Sequence, residues 1–185
     1  MKDKVVIGVA GMPGAGKSIL EEAAQKMGYA IVAMGDEIRE EAKRRKLEPT
    51  PENLGKIMLM LRKEEGAVVV ARRCIPKVKN AKENVVVVDG IRSLEEANEF
   101  RRHFQNFTLV AIHASPETRF QRLFQRKRSD DPEGWETFME RDLRELSVGL
   151  GNAIATADYM VVNEGTRDQL RKKVREVLKR VTRIG

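Results

Sequence analysis

Residues 11–18 read Gly11-Met12-Pro13-Gly14-Ala15-Gly16-Lys17-Ser18, which fits the phosphate-loop pattern G-x-x-x-x-G-K-[ST]. The flanks settle how the pattern is read. Val5, Val6, Ile7, Val9 and Ala10 form a short apolar run before it, as a buried strand would. After Ser18, apolar residues at Ile19, Leu20, Ala23, Ala24 and Met27 recur at helical spacing. A Gly-rich turn from strand to helix lets backbone N–H groups converge on a polyphosphate, backed by the positive end of the helix dipole. Gly11 to Ile19 are therefore the candidate nucleotide cradle. Lys17 would bridge the outer phosphates, and the Ser18 hydroxyl would ligate Mg²⁺.

The chain has 185 residues, enough for one domain with a sizeable core, and we expect residues 1–185 to form one unit. Charged residues are 34% and aromatics 5%, so the packing must be largely aliphatic. A formal charge of +7 suits an anionic partner, either a nucleotide or a nucleic acid. Cys74 is alone, which excludes a disulfide framework and a cysteine-based zinc site. His103 and His113 are isolated and read as structural. No apolar run approaches the roughly 20 residues of a membrane span, and a strand beginning at Val5 leaves no room for a signal peptide. The expectation is a cytoplasmic protein without a membrane partner, either monomer or homodimer.

Along the chain, residues 29–33 read as a second strand, followed by a helix over about 35–45. Thr50-Pro51-Glu52 opens another helix, with threonine as N-cap and proline in the first turn. Residues 67–78 carry both signals. Val68-Val69-Val70 favours a strand, while Ala71, Cys74, Ile75 and Val78 recur at helical spacing. A βαβ series needs a crossover before the next strand, so a helix is expected, kinked at its end by Pro76. Four consecutive valines at 85–88 suit a strand buried on both faces. Ser93 to Glu96 is a capping box, residues 107–113 are a strand, and Ser115-Pro116 caps a basic helix to about 127. A helix over 135–146 follows, then a weaker segment at 149–157, a fifth strand at 159–162, and a last helix opened by Thr166 and Gln169. The alternation predicts an α/β fold: a five-stranded parallel sheet with helices on both faces.

Ligands of such sheets bind at the carboxyl ends of strands, so those ends carry the candidates. Strand three ends in Asp89, whose carboxylate could hold Mg²⁺ directly or through water. It continues into Gly90-Ile91-Arg92, where a guanidinium beside the loop can grip a phosphate in bidentate fashion. Strand two ends in Gly35-Asp36, with Arg39 on the same helix face. After strand four, Arg119, Arg122 and Arg126 form one helical stripe that Lys127 and Arg128 extend, with no acid between 119 and 128. Arginines closing over a γ-phosphate stabilise the charge on its oxygens, so this stripe is read as part of a lid over about 119–149.

Together these stretches resemble the P-loop nucleoside and nucleotide kinases of the adenylate kinase and dephospho-coenzyme A kinase type. The resemblance is strongest at Gly11 to Ser18, Met34-Gly35-Asp36, Asp89-Gly90-Ile91-Arg92 and Ala157-Asp158-Tyr159-Met160-Val161-Val162-Asn163. It looks closest to an archaeal family related to the adenylate kinases. It implies a P-loop NTPase fold with a short helical lid, ATP and Mg²⁺ as cofactors, and acceptor-binding helices over about 35–80. It also implies Gly35, Asp36, Gly90 and Arg92 at the acceptor, Asn163 and Gly165 near the adenine, and Lys17, Arg122, Arg126 and Asp36 in catalysis; Arg39 and Arg72 are assigned to the acceptor beside them. The similarity is divided. The Gly-Asp and Asp-Gly-Ile-Arg stretches resemble the adenylate kinase monophosphate pocket, whereas Arg122 and Arg126 fall on the dephospho-coenzyme A kinase lid. Asp36 suits either acceptor: a hydroxyl profits from a carboxylate base, while a phosphate needs only positioning. Arg92 favours a phosphate, hence a nucleoside monophosphate such as AMP. The alternatives are a hydroxyl kinase and a nucleotide-dependent switch or RNA-associated ATPase. Against the last, Tyr29 and Tyr159 lie in expected strands, leaving few aromatics for base stacking.

Overall fold

Parallel strands with alternating apolar faces need cover on both sides, and this chain supplies it from two sets of helices. The computed structural model describes residues 4–127 and 131–184. In chain order the elements are β1 (Val5–Ala10), α1 (Lys17–Lys26), β2 (Ala30–Ala33), α2 (Met34–Arg44), α3 (Pro51–Glu65), α4 (Val69–Asn80) and β3 (Val85–Asp89). There follow α5 (Leu94–His103), β4 (Asn106–His113), α6 (Pro116–Arg126), α7 (Trp135–Ser147), α8 (Leu150–Ala155), β5 (Tyr159–Val162) and α9 (Arg167–Ile184). The strands form one five-stranded sheet in the order β2-β3-β1-β4-β5, and every pairing is parallel. The expected fold class is the observed one.

The two-residue period of the strands divides the core. Val6, Ala10, Val86 and Val88 turn to one face, where α2, α3, α4, α5 and α8 pack. Ile7, Val9 and Val87 turn to the other, against α1 and α9. Val86, Val87 and Val88 are all buried, because β3 lies inside the sheet with helices on both sides. Burying such side chains stabilises by roughly 1.5–3 kcal/mol each relative to exposure, so the central strands anchor everything mounted on their ends.

The ambiguous stretch is helical. Val69, Val70, Ala71, Cys74, Ile75 and Val78 all turn inward from α4, and the strand propensity of the valines yields to that buried face. Pro76 lacks the N–H that would bond Arg72 O, yet α4 runs four residues beyond it to Asn80. Strand two begins at Ala30 rather than Tyr29, since Tyr29 N donates to Ala24 O and closes the end of α1. The weak segment at 149–157 contains the short helix α8. Within the stretch read as a lid, Arg128 lies outside the described residues. No helix among the described residues is long and apolar enough to cross a membrane.

Candidate active site

The loop between β1 and α1 is held by contacts that leave no room for a side chain at its glycines Gly11, Gly14 and Gly16. Gly16 has φ +107°, and a Cβ there would stand 2.5 Å from Asn163 Nδ2. That backbone is strained for any L side chain. Inside the turn, Ala15 N donates to Met12 O at 3.0 Å, and Ile19 N donates to Gly16 O as α1 begins. Lys17 Nζ donates to Gly11 O at 2.6 Å, folding its chain back over the loop. Loss of water holds the Lys17 pKa below the ordinary lysine value, an effect that the Asp89 carboxylate opposes.

Asp89 closes β3 opposite Val9, and both Gly90 N and Ile91 N turn back to Val9 O, at 3.2 and 3.0 Å. This turn brings Asp89 and Arg92 to the loop, and the left-handed φ of +92° at Gly90 makes it possible. Asp89 Oδ1 is buried and has no hydrogen-bond partner. Its carboxyl is pushed above the usual range by burial, against the pull of Lys17 and Arg92. Burial, and then the neighbouring Asp89 charge, raise the pKa of Glu21 on α1 too. Two acids and a lysine share one half-buried corner. That donor set fits a divalent cation carried on a polyphosphate, since hard oxygen ligands and a buried carboxylate oxygen without a partner are what Mg²⁺ requires.

The far wall comes from β5 and α6. Asn163 is buried; its N donates to His113 O at 2.7 Å, and its Nδ2 donates to Ala15 O at 2.8 Å. It therefore ties the end of β5 to the loop. Arg122 Nη2 donates to Asn163 O at 3.0 Å, while Arg122 Nη1 is buried without a hydrogen-bond partner. Arg126 is paired with Asp131, at 2.5 and 2.9 Å. Gly165 lies in the exposed turn before α9, where Thr166 and Gln169 cap each other reciprocally.

On the opposite side, Gly35 and Asp36 occupy the first turn of α2. Asp36 and Arg39 form a 2.7 Å ion pair, each side chain more than half exposed. Arg72 of α4 bonds Glu99 of α5 at 3.2 Å, in a cluster with Arg102 and His103. Arg92 lies 3.2 Å from Glu145 of α7. The structure thus gathers Lys17, Asp89, Arg92 and Arg122 about the loop. It leaves Asp36 with Arg39 on an exposed rim and joins Arg72 to α5.

Three contributors escaped the sequence reading. Glu21 follows Lys17 by one turn, a spacing that was visible, but nothing distinguished it from its neighbour Glu22. Glu145 becomes relevant only because α7 packs beside Arg119 and Arg92. Arg119 looked like one more lid arginine. It is buried instead, pairing with Asp142 at 2.8 and 2.5 Å and donating to Pro13 O and Ala114 O at 3.2 Å. Its guanidinium also lies over the Phe138 ring, 5.0 Å from the centroid.

Residues 10–139 match the family described as "AAA domain". A "UPF0200 protein" of Hyperthermus butylicus is 48% identical over 182 residues, spanning 98% of this chain and 97% of its own. The "UPF0200 protein" of Methanocaldococcus jannaschii is 48% identical over 179 residues, spanning 96% and 90%. Among solved structures, a gluconokinase from Sinorhizobium meliloti superimposes with a TM-score of 0.60 at 15% identity, covering 98% of this chain and 95% of its own. A shikimate kinase from Acinetobacter baumannii in complex with shikimate gives 0.58 at 17% identity, covering 96% and 94%. At those identities the likeness is one of fold: a P-loop kinase-like sheet and loop.

Proposed function

The chain belongs to the AAA-domain family through residues 10–139 and to the UPF0200 family along its length, and from that premise we propose that it is an ATP- and Mg²⁺-dependent kinase whose acceptor is a nucleotide, in the first instance a nucleoside monophosphate such as AMP. One observation carries this proposal. Around Lys17 the site holds two buried polar atoms of opposite character without hydrogen-bond partners, Asp89 Oδ1 and Arg122 Nη1. A buried group of either kind costs roughly 1–3 kcal/mol if left unpaired. A polyphosphate with its cation offers a partner to each.

Bound ATP supplies the phosphoryl group, and Mg²⁺ neutralises charge on its phosphates. In this proposal the amides of Gly11 to Ile19 and the Lys17 ammonium hold the phosphates in line. Ser18 and Asp89 would hold the cation, and Arg122, with Arg126 released from Asp131, would cover the transferred group. Asn163 fixes the loop from beneath, and Gly165 lies at the adenine end. Gly35, Asp36, Arg39, Arg72, Gly90 and Arg92 form the acceptor side within residues 35–80 and the β3 turn, while 119–149 acts as a short lid. The chain works as one unit, in the cytoplasm.

A second acceptor class follows from the Arg92–Glu145 contact. An arginine already facing a carboxylate attracts a phosphate less, which favours a hydroxyl acceptor with Asp36 as base. Thermal melts separate the two. AMP and dephospho-coenzyme A are each tested with and without a non-hydrolysable ATP analogue and Mg²⁺. A shift that AMP adds on top of the analogue supports the monophosphate. A shift with dephospho-coenzyme A alone transfers the assignment to a hydroxyl kinase. Response to the analogue with no second ligand removes the kinase assignment.

A further inference from the structure

We propose that Glu145 is an internal counter-ion for Arg92, a carboxylate latch on α7 that an anionic acceptor must displace before its own phosphate can occupy that guanidinium. The proposal rests on the monophosphate acceptor and specifies how the site admits it. Arg92 Nη1 and Glu145 Oε1 are 3.2 Å apart, with Glu145 only 12% exposed and Arg92 35%. Glu145 also acts on Lys17, whose charge it favours, so its field reaches the loop. The contact is built into the fold. One turn before Glu145, Asp142 forms the buried two-pronged pair with Arg119, and Arg119 grips Pro13 O of the loop. Residues three apart share a helix face, so the anchor that fixes Asp142 also delivers Glu145 to the site. Beyond the end of α7, Gly149 packs closely on Ser93, the residue after Arg92; a Cβ at Gly149 would come within 3.3 Å of Ser93 Cβ. The second half of α7 and the turn beyond it are therefore fixed to the surfaces they bridge, the loop and the β3 turn.

A guanidinium edge that faces a carboxylate cannot at the same time face a phosphate. With Glu145 in place, an incoming monophosphate meets a negative charge and must break an ion pair; a neutral ligand meets neither obstacle. The latch thus makes anion binding and release of α7 from Arg92 a single exchange, coupling acceptor entry to the lid.

Isothermal titration of Glu145→Gln and the parent protein, both saturated with a non-hydrolysable ATP analogue and Mg²⁺, tests this with AMP and with adenosine. Glu145→Gln is expected to bind AMP roughly tenfold more tightly, the usual scale of coupling between linked contacts, and to leave adenosine affinity unchanged. Glu145→Asp keeps the charge and shortens the reach, so it should give an intermediate gain. Equal affinity of parent and both variants for AMP overturns the latch while leaving the monophosphate acceptor standing. An equal gain for AMP and adenosine also overturns it, because charge exchange is then irrelevant. If neither parent nor Glu145→Gln binds AMP, the monophosphate acceptor fails and the latch with it.

Discussion

Single residues at the loop have little freedom, and their failures are specific. Gly16→Ala would place a methyl group against Asn163 Nδ2 at a backbone φ of +107°. Strain of that kind costs on the order of 1–3 kcal/mol. The variant should melt earlier and lose its stabilisation by ATP analogue, measured by thermal denaturation with and without ligand. The phosphate loop was legible because glycine, lysine and serine at fixed spacing each have a separate physical task. Glu145 and Arg119 were not, because an arginine in a basic stripe looks the same whether it is solvated or buried on Asp142. The burial of Arg119 is decided by where α7 lands.

At the scale of elements, the loop depends on a strand end distant in sequence. Asn163→Ala leaves Ala15 O without its buried partner, at a cost of roughly 1–3 kcal/mol. Nucleotide affinity should fall along with stability, since the bond from β5 supports the cradle directly; urea unfolding and analogue binding measure the two losses. The contact between α2 and α4 is read through Glu41 and Arg73. Glu41 is held at a pKa of about 2, against an ordinary 4.5, by hydrogen bonds from Arg45 and then Arg73. A depressed carboxylate contributes stability that is complete above pH 4.5 and lost as the pH falls through about 2. Glu41→Gln should therefore cost on the order of 2 kcal/mol at neutral pH, and its deficit relative to the parent should vanish near pH 2. Chemical denaturation across pH measures that convergence. Element identity was legible wherever periodicity and caps agreed, as at Ser93 and Thr166. At residues 67–78 the valines and the helical spacing disagreed, and the demand for a crossover decided correctly.

Across the whole molecule, the sheet order brings β1 and β3 together and so makes one site from residues far apart in the chain. That helices cover both faces of the sheet was readable from the alternation of strand and helix segments. The contacts of α6 and α7 were not, since they arise from packing of Arg119 on Asp142 and on the loop. Cys74 provides a test of the closed core. It is fully buried, and burial pushes its thiol up to about 12. A thiol reagent at neutral pH should leave the folded protein unmodified and react at once when the protein is unfolded, as followed by mass spectrometry. Beyond the fold, the decisive question is whether phosphate moves. Phosphorus NMR of the protein with ATP, Mg²⁺ and AMP should show ADP forming at a rate that depends on AMP, with Lys17→Ala reducing that rate at least about a hundredfold. Persistence of ATP and AMP unchanged, or turnover that Lys17→Ala leaves intact, would contradict a kinase built around this loop.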